Sequence, residues 1–207
     1  MYIPDAFTVV DEAAIDAFME RYDFATLITA APSGFAVTHL PVLVTREATG
    51  LVIAGHVARG NSHWQLMDGS RDALAIFSGP HGYISPTWYE HSPAVPTWNY
   101  TVVHAHGQPR VRDDRQFVET VVNALARRYE SHRPRPWRLG DQPADFSDKM
   151  LAAVVGFEMK VSKVEATFKL NQNRRPEDRA GAVAGLERDG APEAAALARF
   201  MRDHHNG

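Results

Sequence analysis

Hydrophobic and polar residues alternate most regularly between Val95 and Val111, in VPTWNYTVVHAHGQPRV. β-branched and aromatic residues recurring at a period of two predict one long strand. Successive side chains of a strand point to opposite faces. Trp98, Tyr100, Val102, His104 and His106 therefore share one face, and Thr97, Asn99, Thr101, Val103 and Ala105 the other. That is more polar and aromatic chemistry than a plain core strand needs, and the segment reads as the wall of a ligand site.

The same reading applied to the rest of the chain gives a helix over 11–22, capped by Asp11, with Ala14, Ile15, Phe18, Met19 and Tyr22 at helical spacing. Strands follow at Phe24–Ala31 and Phe35–Thr45, joined by a turn at Pro32-Ser33-Gly34. Pro41 inside the second implies an edge, a bulge or a point where the backbone leaves the ladder. A third strand spans 51–57, and Ala58-Arg59-Gly60-Asn61-Ser62 leads into a short helix at 63–68. A fourth strand covers 72–78, followed by Gly79-Pro80-His81-Gly82 and a short extended piece at 83–85. Residues 86–96 form a loop whose Trp88, Tyr89 and His91 suit a subunit contact or a lid. Beyond the long strand come a helix from Asp113 or Asp114 to about Ser131, with Asp113 and Gln116 at capping-box spacing, and a proline-rich loop over 132–145. A short helix over 146–154, a last strand over 155–170 and two tail helices opening at Pro176 and Pro192 complete the chain. Six or so strands with short links, without a βαβ rhythm, predict a mainly β, α+β chain: an antiparallel closed or split barrel with peripheral helices. We expect the barrel with its inserted helices over 1–172 and a helical tail packed on it over 173–207.

Composition narrows the chemistry. There is no cysteine, which removes disulfides, thiolate metal sites and a cysteine nucleophile. No apolar run is long enough to span a bilayer and no signal peptide opens the sequence, so we expect a cytoplasmic protein without membrane contact. The formal charge of −3 gives no general affinity for nucleic acid, and DNA contact would need a local patch. Arg127, Arg128, Arg133, Arg135 and Arg138 offer one and the segment 169–179 another, although either can be a solvated face.

No dinucleotide fingerprint, Walker A loop or GxSxG elbow is present. His104 and His106 have the spacing to share a metal, and His39, His56 and His63 could converge, but carboxylates are missing from both sets and no metal site is assigned. A flat aromatic cofactor fits better. Trp64, Trp98 and Tyr100 offer stacking faces, backbone groups around Pro41 can meet a heterocycle's polar edge, and Lys169, Gln172 and Asn173 add donors. The turn from Arg59 to Ser62 can hold a phosphate; the alternative is an ordinary helix cap by Asn61 or Ser62.

MYIPDAF at the start, THLPVLV (38–44), GHVARGNSHW (55–64), AIFSGPHGYISPTWY (75–89), VPTWNYTVVHAHG (95–107), FKLNQNR and EDRAGAVAGL occur in order along nearly the whole chain. In these segments the chain resembles the PaiB-type FMN-binding negative transcriptional regulators. The resemblance implies an FMN-binding split barrel that forms a homodimer with flavin at the subunit interface. It places the flavin ring near Thr38, His39, Leu40 and Pro41, with His56 and Trp64 close by, and the phosphate near Arg59, Asn61 and Ser62. Trp98, Asn99 and Tyr100 would come from the partner subunit, with Lys169, Gln172 and Asn173 nearby. Nothing reads as a helix-turn-helix, so the regulatory role has no visible DNA-reading element. Three readings stay open: a flavin-binding regulator, a flavin reductase or other small oxidoreductase on the same barrel, and a heme-binding or heme-degrading barrel in which His39, His56 or His104 matters more. A shared fold does not decide among them.

Overall fold

The computed structural model describes residues 1–32 and 34–205. Seven strands, β1 (Phe24–Ala31), β2 (Gly34–Pro41), β3 (Leu43–Glu47), β4 (Gly50–Ala58), β5 (Ala73–Ile84), β6 (Thr97–Val111) and β7 (Val154–Lys169), form one sheet in the order β2-β1-β5-β6-β7-β4-β3. β1 and β2 are antiparallel from Phe24↔Pro41 to Ala31↔Gly34. The turn expected between them includes Ser33, which lies outside the described residues. The single strand expected over 35–45 is two strands broken at Val42. Pro41 has no amide to continue the ladder, and the Val42 amide leaves it to donate to the Asp23 carbonyl at 3.0 Å. β2 and β3 are opposite edges of the sheet joined by one residue, so the sheet curls until its edges meet. This is the predicted mainly β, α+β split-barrel architecture.

The chain divides into two compact units. One comprises Asp16–Phe77 and His104–Val164. All seven strands contribute to it, with the C-terminal part of helix α1 (Glu12–Arg21) and helices α2 (Arg115–Glu130) and α3 (Ala144–Ala152). Leu27, Ile53, Met67, Phe77, Phe157 and Met159 are its fully buried core. α2 is capped by Asp114, whose Oδ1 accepts from the Phe117 amide at 2.9 Å, and not by the box at Asp113 and Gln116. Asp113 is drawn away by Arg59.

The other unit comprises Met1–Ile15, Ser78–Val103 and Glu165–Gly207. It contains the remaining parts of β5, β6 and β7 with the tail helices α4 (Pro176–Asp189) and α5 (Pro192–His205). β5 runs unbroken through Gly79-Pro80-His81-Gly82, where a strand end was expected. Thr101 supports it there by donating to the Pro80 carbonyl at 3.1 Å. Gly82 lies against Leu197 and Leu186, so the strand backbone packs directly on the two tail helices.

The aromatic residues of the 86–96 loop also pack against the tail. Trp88 lies on α4 over Gly181 and Gly185. The buried Asp178 carboxylate accepts from the amides of Glu90 (2.9 Å) and His91 (3.0 Å) and is paired with His91 Nδ1 at 3.1 Å. Burial alone would raise its pKa, but these hydrogen bonds outweigh it and hold the carboxyl below its ordinary range. The loop is a fastened element of this unit rather than a lid.

A Cβ at Gly181 would land inside contact distance of the Trp88 carbonyl oxygen, which the fastened loop cannot easily move. Gly181→Ala should therefore destabilise the protein by about 1–3 kcal/mol, despite alanine's better helix propensity. Chemical denaturation measures this, and an unchanged or higher midpoint would contradict the packing.

Candidate functional site

Thr38 and His39 are neighbours on β2, paired with Leu27 and Thr26 of β1. Strand alternation sends their side chains to opposite faces. His39 is exposed and hydrogen-bonded to Thr26 Oγ1 at 2.9 Å. Thr38 turns the other way, toward the turn that follows β4.

That turn closes when the Asn61 amide donates to the Ala58 carbonyl at 2.8 Å, and it runs into a one-turn 3-10 helix, Ser62–Leu66. Asn61 is the cap: its Oδ1 accepts from the His63 amide at 3.0 Å. Its Nδ2 donates to Thr38 Oγ1, also at 3.0 Å, tying the turn to β2. His63, only 3% exposed, completes the junction. Its Nδ1 is hydrogen-bonded to Thr38 Oγ1 at 2.7 Å and its Nε2 to Thr29 Oγ1 at 2.9 Å, so the ring spans β1 and β2. Burial lowers its pKa from the ordinary 6.5.

Arg59 is committed elsewhere. Its Nε donates to the Ala152 carbonyl, Nη1 and Nη2 to Asp113 at 3.1 and 2.7 Å, and Nη2 again to the Val154 carbonyl. A guanidinium has five N–H donors, which leaves one unspent. Trp64 fastens the same turn by donating Nε1 to the Arg59 carbonyl at 3.0 Å. Ser62 is exposed, while Leu40 is buried in the core and can meet a ligand only through its backbone. His56, on β4, carries a buried Nδ1 with no hydrogen-bond partner, and burial lowers its pKa.

The remaining predicted residues belong to the other unit. Trp98 is 55% exposed and clusters with His81 and Tyr83, at centroid distances of 6.3 and 6.4 Å. Tyr100 is half-buried on the same face of β6. Asn99 points the opposite way: it is fully buried, its Nδ2 is 3.6 Å from Met201 Sδ and its Oδ1 is unpartnered. Lys169 donates to Thr97 Oγ1 at 2.6 Å, and its partial burial lowers its pKa. Gln172 is turned back on its own strand end, accepting from the Leu170 amide and donating to the Phe168 carbonyl. Asn173 is exposed.

His39, His56 and His63 do not form one cluster. Thr38 and His39 lie on opposite faces of β2, and His63 takes the Thr38 side. Among the described residues no group of three or more His, Asp or Glu side chains is placed to hold a metal. In the basic run, Arg128 pairs with Asp23 at 2.5 Å and Arg133 with Glu130 at 3.0 Å, which neutralises two of its five cations. No described helix is long and apolar enough to cross a membrane.

Sequence reasoning left His63 out of the site and did not single out Thr29 at all. The available signal was local and partial: an Asn two residues before a His, entering a short helix, predicts an Asn cap that fixes the His backbone but not the direction of its imidazole. Thr29 pairs with it only through β1, which no local spacing reveals.

The sequence matches the family described as "Putative FMN-binding domain" over residues 1–163. It is 34% identical over 203 residues to the "Protease synthase and sporulation protein PAI 2" of Bacillus subtilis, covering 98% of this chain and 97% of that one. An uncharacterized protein of Emericella nidulans is 29% identical over 160 residues, covering 70% of this chain and 62% of its own. Among solved structures, the flavocytochrome Anf3 from Azotobacter vinelandii superposes with a TM-score of 0.61 at 13% identity, covering 84% of this chain and 75% of that one. The FAD and heme binding protein from Mycobacterium smegmatis does so at 0.57 and 13%, covering 84% and 78%. At these identities the structural likeness concerns the fold. The full-length match to the Bacillus protein bears out the PaiB-type resemblance read from the motifs.

Because burial lowers the His63 pKa below its ordinary 6.5, the unfolded chain binds more protons than the folded one as pH falls through that value. Its contribution to stability is complete above that value and is lost as pH falls through it toward the folded pKa. Thermal melts should show a falling midpoint from about pH 7.5 to about 5.5. His63→Gln should flatten that slope while costing about 1–3 kcal/mol at the higher pH; an identical slope in the variant would refute the assignment.

Proposed function

We propose, for a chain that belongs to the FMN-binding domain family, that it holds FMN against β2 and the turn after β4. We further propose that it does so as a homodimer of the PaiB type acting in the control of gene expression. The observation that carries the reading is the hydrogen bond from Asn61 Nδ2 to Thr38 Oγ1. It joins the THLP segment and the ARGNS turn, 23 residues apart in sequence, into one surface.

The residues present fit the cofactor. Backbone groups of Leu40 and Pro41 can meet the polar edge of the isoalloxazine ring, and the unpartnered His56 Nδ1 supplies a further polar atom. Ser62, the second N–H of the Asn61 amide and the one unspent N–H of Arg59 are the groups available to the phosphate. Arg59 acts first as the strut that holds the turn, through Asp113 and two carbonyls, and its charge toward a phosphate is already shared with that carboxylate. Bound FMN would supply an electron carrier; the chain's own residues bind and orient it.

The exposed Trp98, with Tyr83 and His81 beside it, and Tyr100 are the aromatic surface we assign to the second subunit's flavin. Lys169 lies near them through its bond to Thr97. The full-length likeness to the Bacillus subtilis protein, whose name refers to protease synthase and sporulation, supports the regulatory role. With Arg128 and Arg133 paired to acids, the regulatory reading does not rest on DNA contact by that run.

FMN titrated with the purified protein should lose fluorescence with a stoichiometry of one per chain. Thr38→Ala and Asn61→Ala should each weaken binding by about tenfold or more. Riboflavin should bind more weakly than FMN, by the loss of its phosphate contacts, and sedimentation should give twice the chain mass. Unchanged flavin fluorescence would overturn the reading. Rapid bleaching of the bound flavin by NAD(P)H in stopped flow would move it to the reductase class.

A further inference from the structure

A groove of about 500 Å³, apart from the flavin-site residues, lies where the ends of β6 and the middle of β7 meet the turn before β5. Gly69, Asp72, Gln108, Arg110, Glu158 and Lys160 line it. Its charges are unevenly satisfied. Asp72 Oδ1 accepts from Gln108 Nε2 at 3.1 Å. Glu158 Oε2 accepts from Arg112 Nη1 at 2.9 Å. The side chains of Arg110 and Lys160, by contrast, have neither a hydrogen-bond nor an ion-pair partner among the described residues. Arg110 and Lys160 share the lining with Asp72 and Glu158, and Glu158 is already paired with Arg112, which also meets Asp114 at 3.5 Å.

Arg110 lies across the turn at Gly69. Gly69 adopts a left-handed φ of +80°, and a Cβ there would lie 2.7 Å from Arg110 Nε and 2.9 Å from Nη2. The left-handed turn favours glycine at this position, and the Arg110 guanidinium lies across its open face. The Gly69 amide donates to the Pro109 carbonyl at 2.9 Å, which ties the turn to the strand that carries Arg110. An exposed guanidinium with its donors unspent can take an oxyanion through two parallel N–H···O bonds.

We propose that Arg110 and Lys160 form a binding site for the oxyanion of a small molecule, a phosphate or a carboxylate, separate from the flavin. Asp72 and Glu158 set the limit on its size. An extended polyanion would be carried over two carboxylates, whereas a single oxyanion can sit on the two free cations alone.

The test uses the full chain, isotope-labelled, with inorganic phosphate in one amide-shift titration and acetate in another, each against sodium chloride at matched ionic strength. Saturable shifts at Gly69, Gln108, Arg110 and Lys160 are expected in one or both, and the responding anion identifies the chemistry. Arg110→Gln and Lys160→Gln should each weaken binding by about tenfold, while Arg127→Gln should leave it unchanged. Both charge variants lie on exposed positions, and their unshifted spectra elsewhere would report an intact fold. Shifts reproduced by chloride, or insensitive to both variants, overturn the proposal. Loss of phosphate binding on saturation with FMN would equally overturn it as a separate site. Failure to bind FMN at all would leave the anion titration readable, so the two readings fail independently.

Discussion

Pro41 and Val42 impose the constraint on which the architecture turns. A run of hydrophobic residues that could have made one long strand is interrupted where proline withdraws its amide and Val42 bonds to Asp23 instead. The two halves then serve opposite edges of the sheet, and a sheet whose edges share one connecting residue has to close. Closure also removes most of the exposed-edge liability that a seven-stranded antiparallel sheet would otherwise carry. Thr38 lies three residues before this break, so its inward direction follows from the same event that closes the barrel.

The candidate site is built on hydrogen-bond accounting rather than on charge. His63, Thr38, Thr29 and Asn61 satisfy one another in a region where an unpaired polar atom would be costly. Arg59, the residue with the most obvious charge for a phosphate, spends four of its five donors on Asp113 and two backbone carbonyls. A cation so placed first fixes the shape of the turn. The recognition of a ligand is then left to backbone and side-chain amides whose positions that cation guarantees.

The unit formed with the tail helices follows a different rule, close packing over small residues. Gly82 admits Leu186 and Leu197, and Gly181 and Gly185 admit Trp88. Asp178, 2% exposed, would be unaffordable as a lone carboxylate, and three donors from Glu90 and His91 make it a clamp. Aromatic side chains that look like a mobile surface in sequence thus end as part of a fastened loop.

The strands, their alternating faces and the helix starts at Asp11, Pro176 and Pro192 were legible in the sequence, because period and capping chemistry are local properties. So were the two motif segments of the candidate site and the family they belong to. The structure decided what local rules do not reach. It assigned the two halves of the 35–45 run to opposite edges, and it carried β5 through a Gly-Pro-His-Gly stretch that local punctuation reads as an end. The cap of α2 moved from Asp113 to Asp114 because Arg59, 54 residues away, claims Asp113. It turned Asn99 into the core while leaving Trp98 exposed, and it placed His63 between two threonines of different strands. Each of these depends on a partner distant in sequence. The chain alone determined which groups could donate, accept or stack; only closure of the barrel decided which of them were already spent on one another.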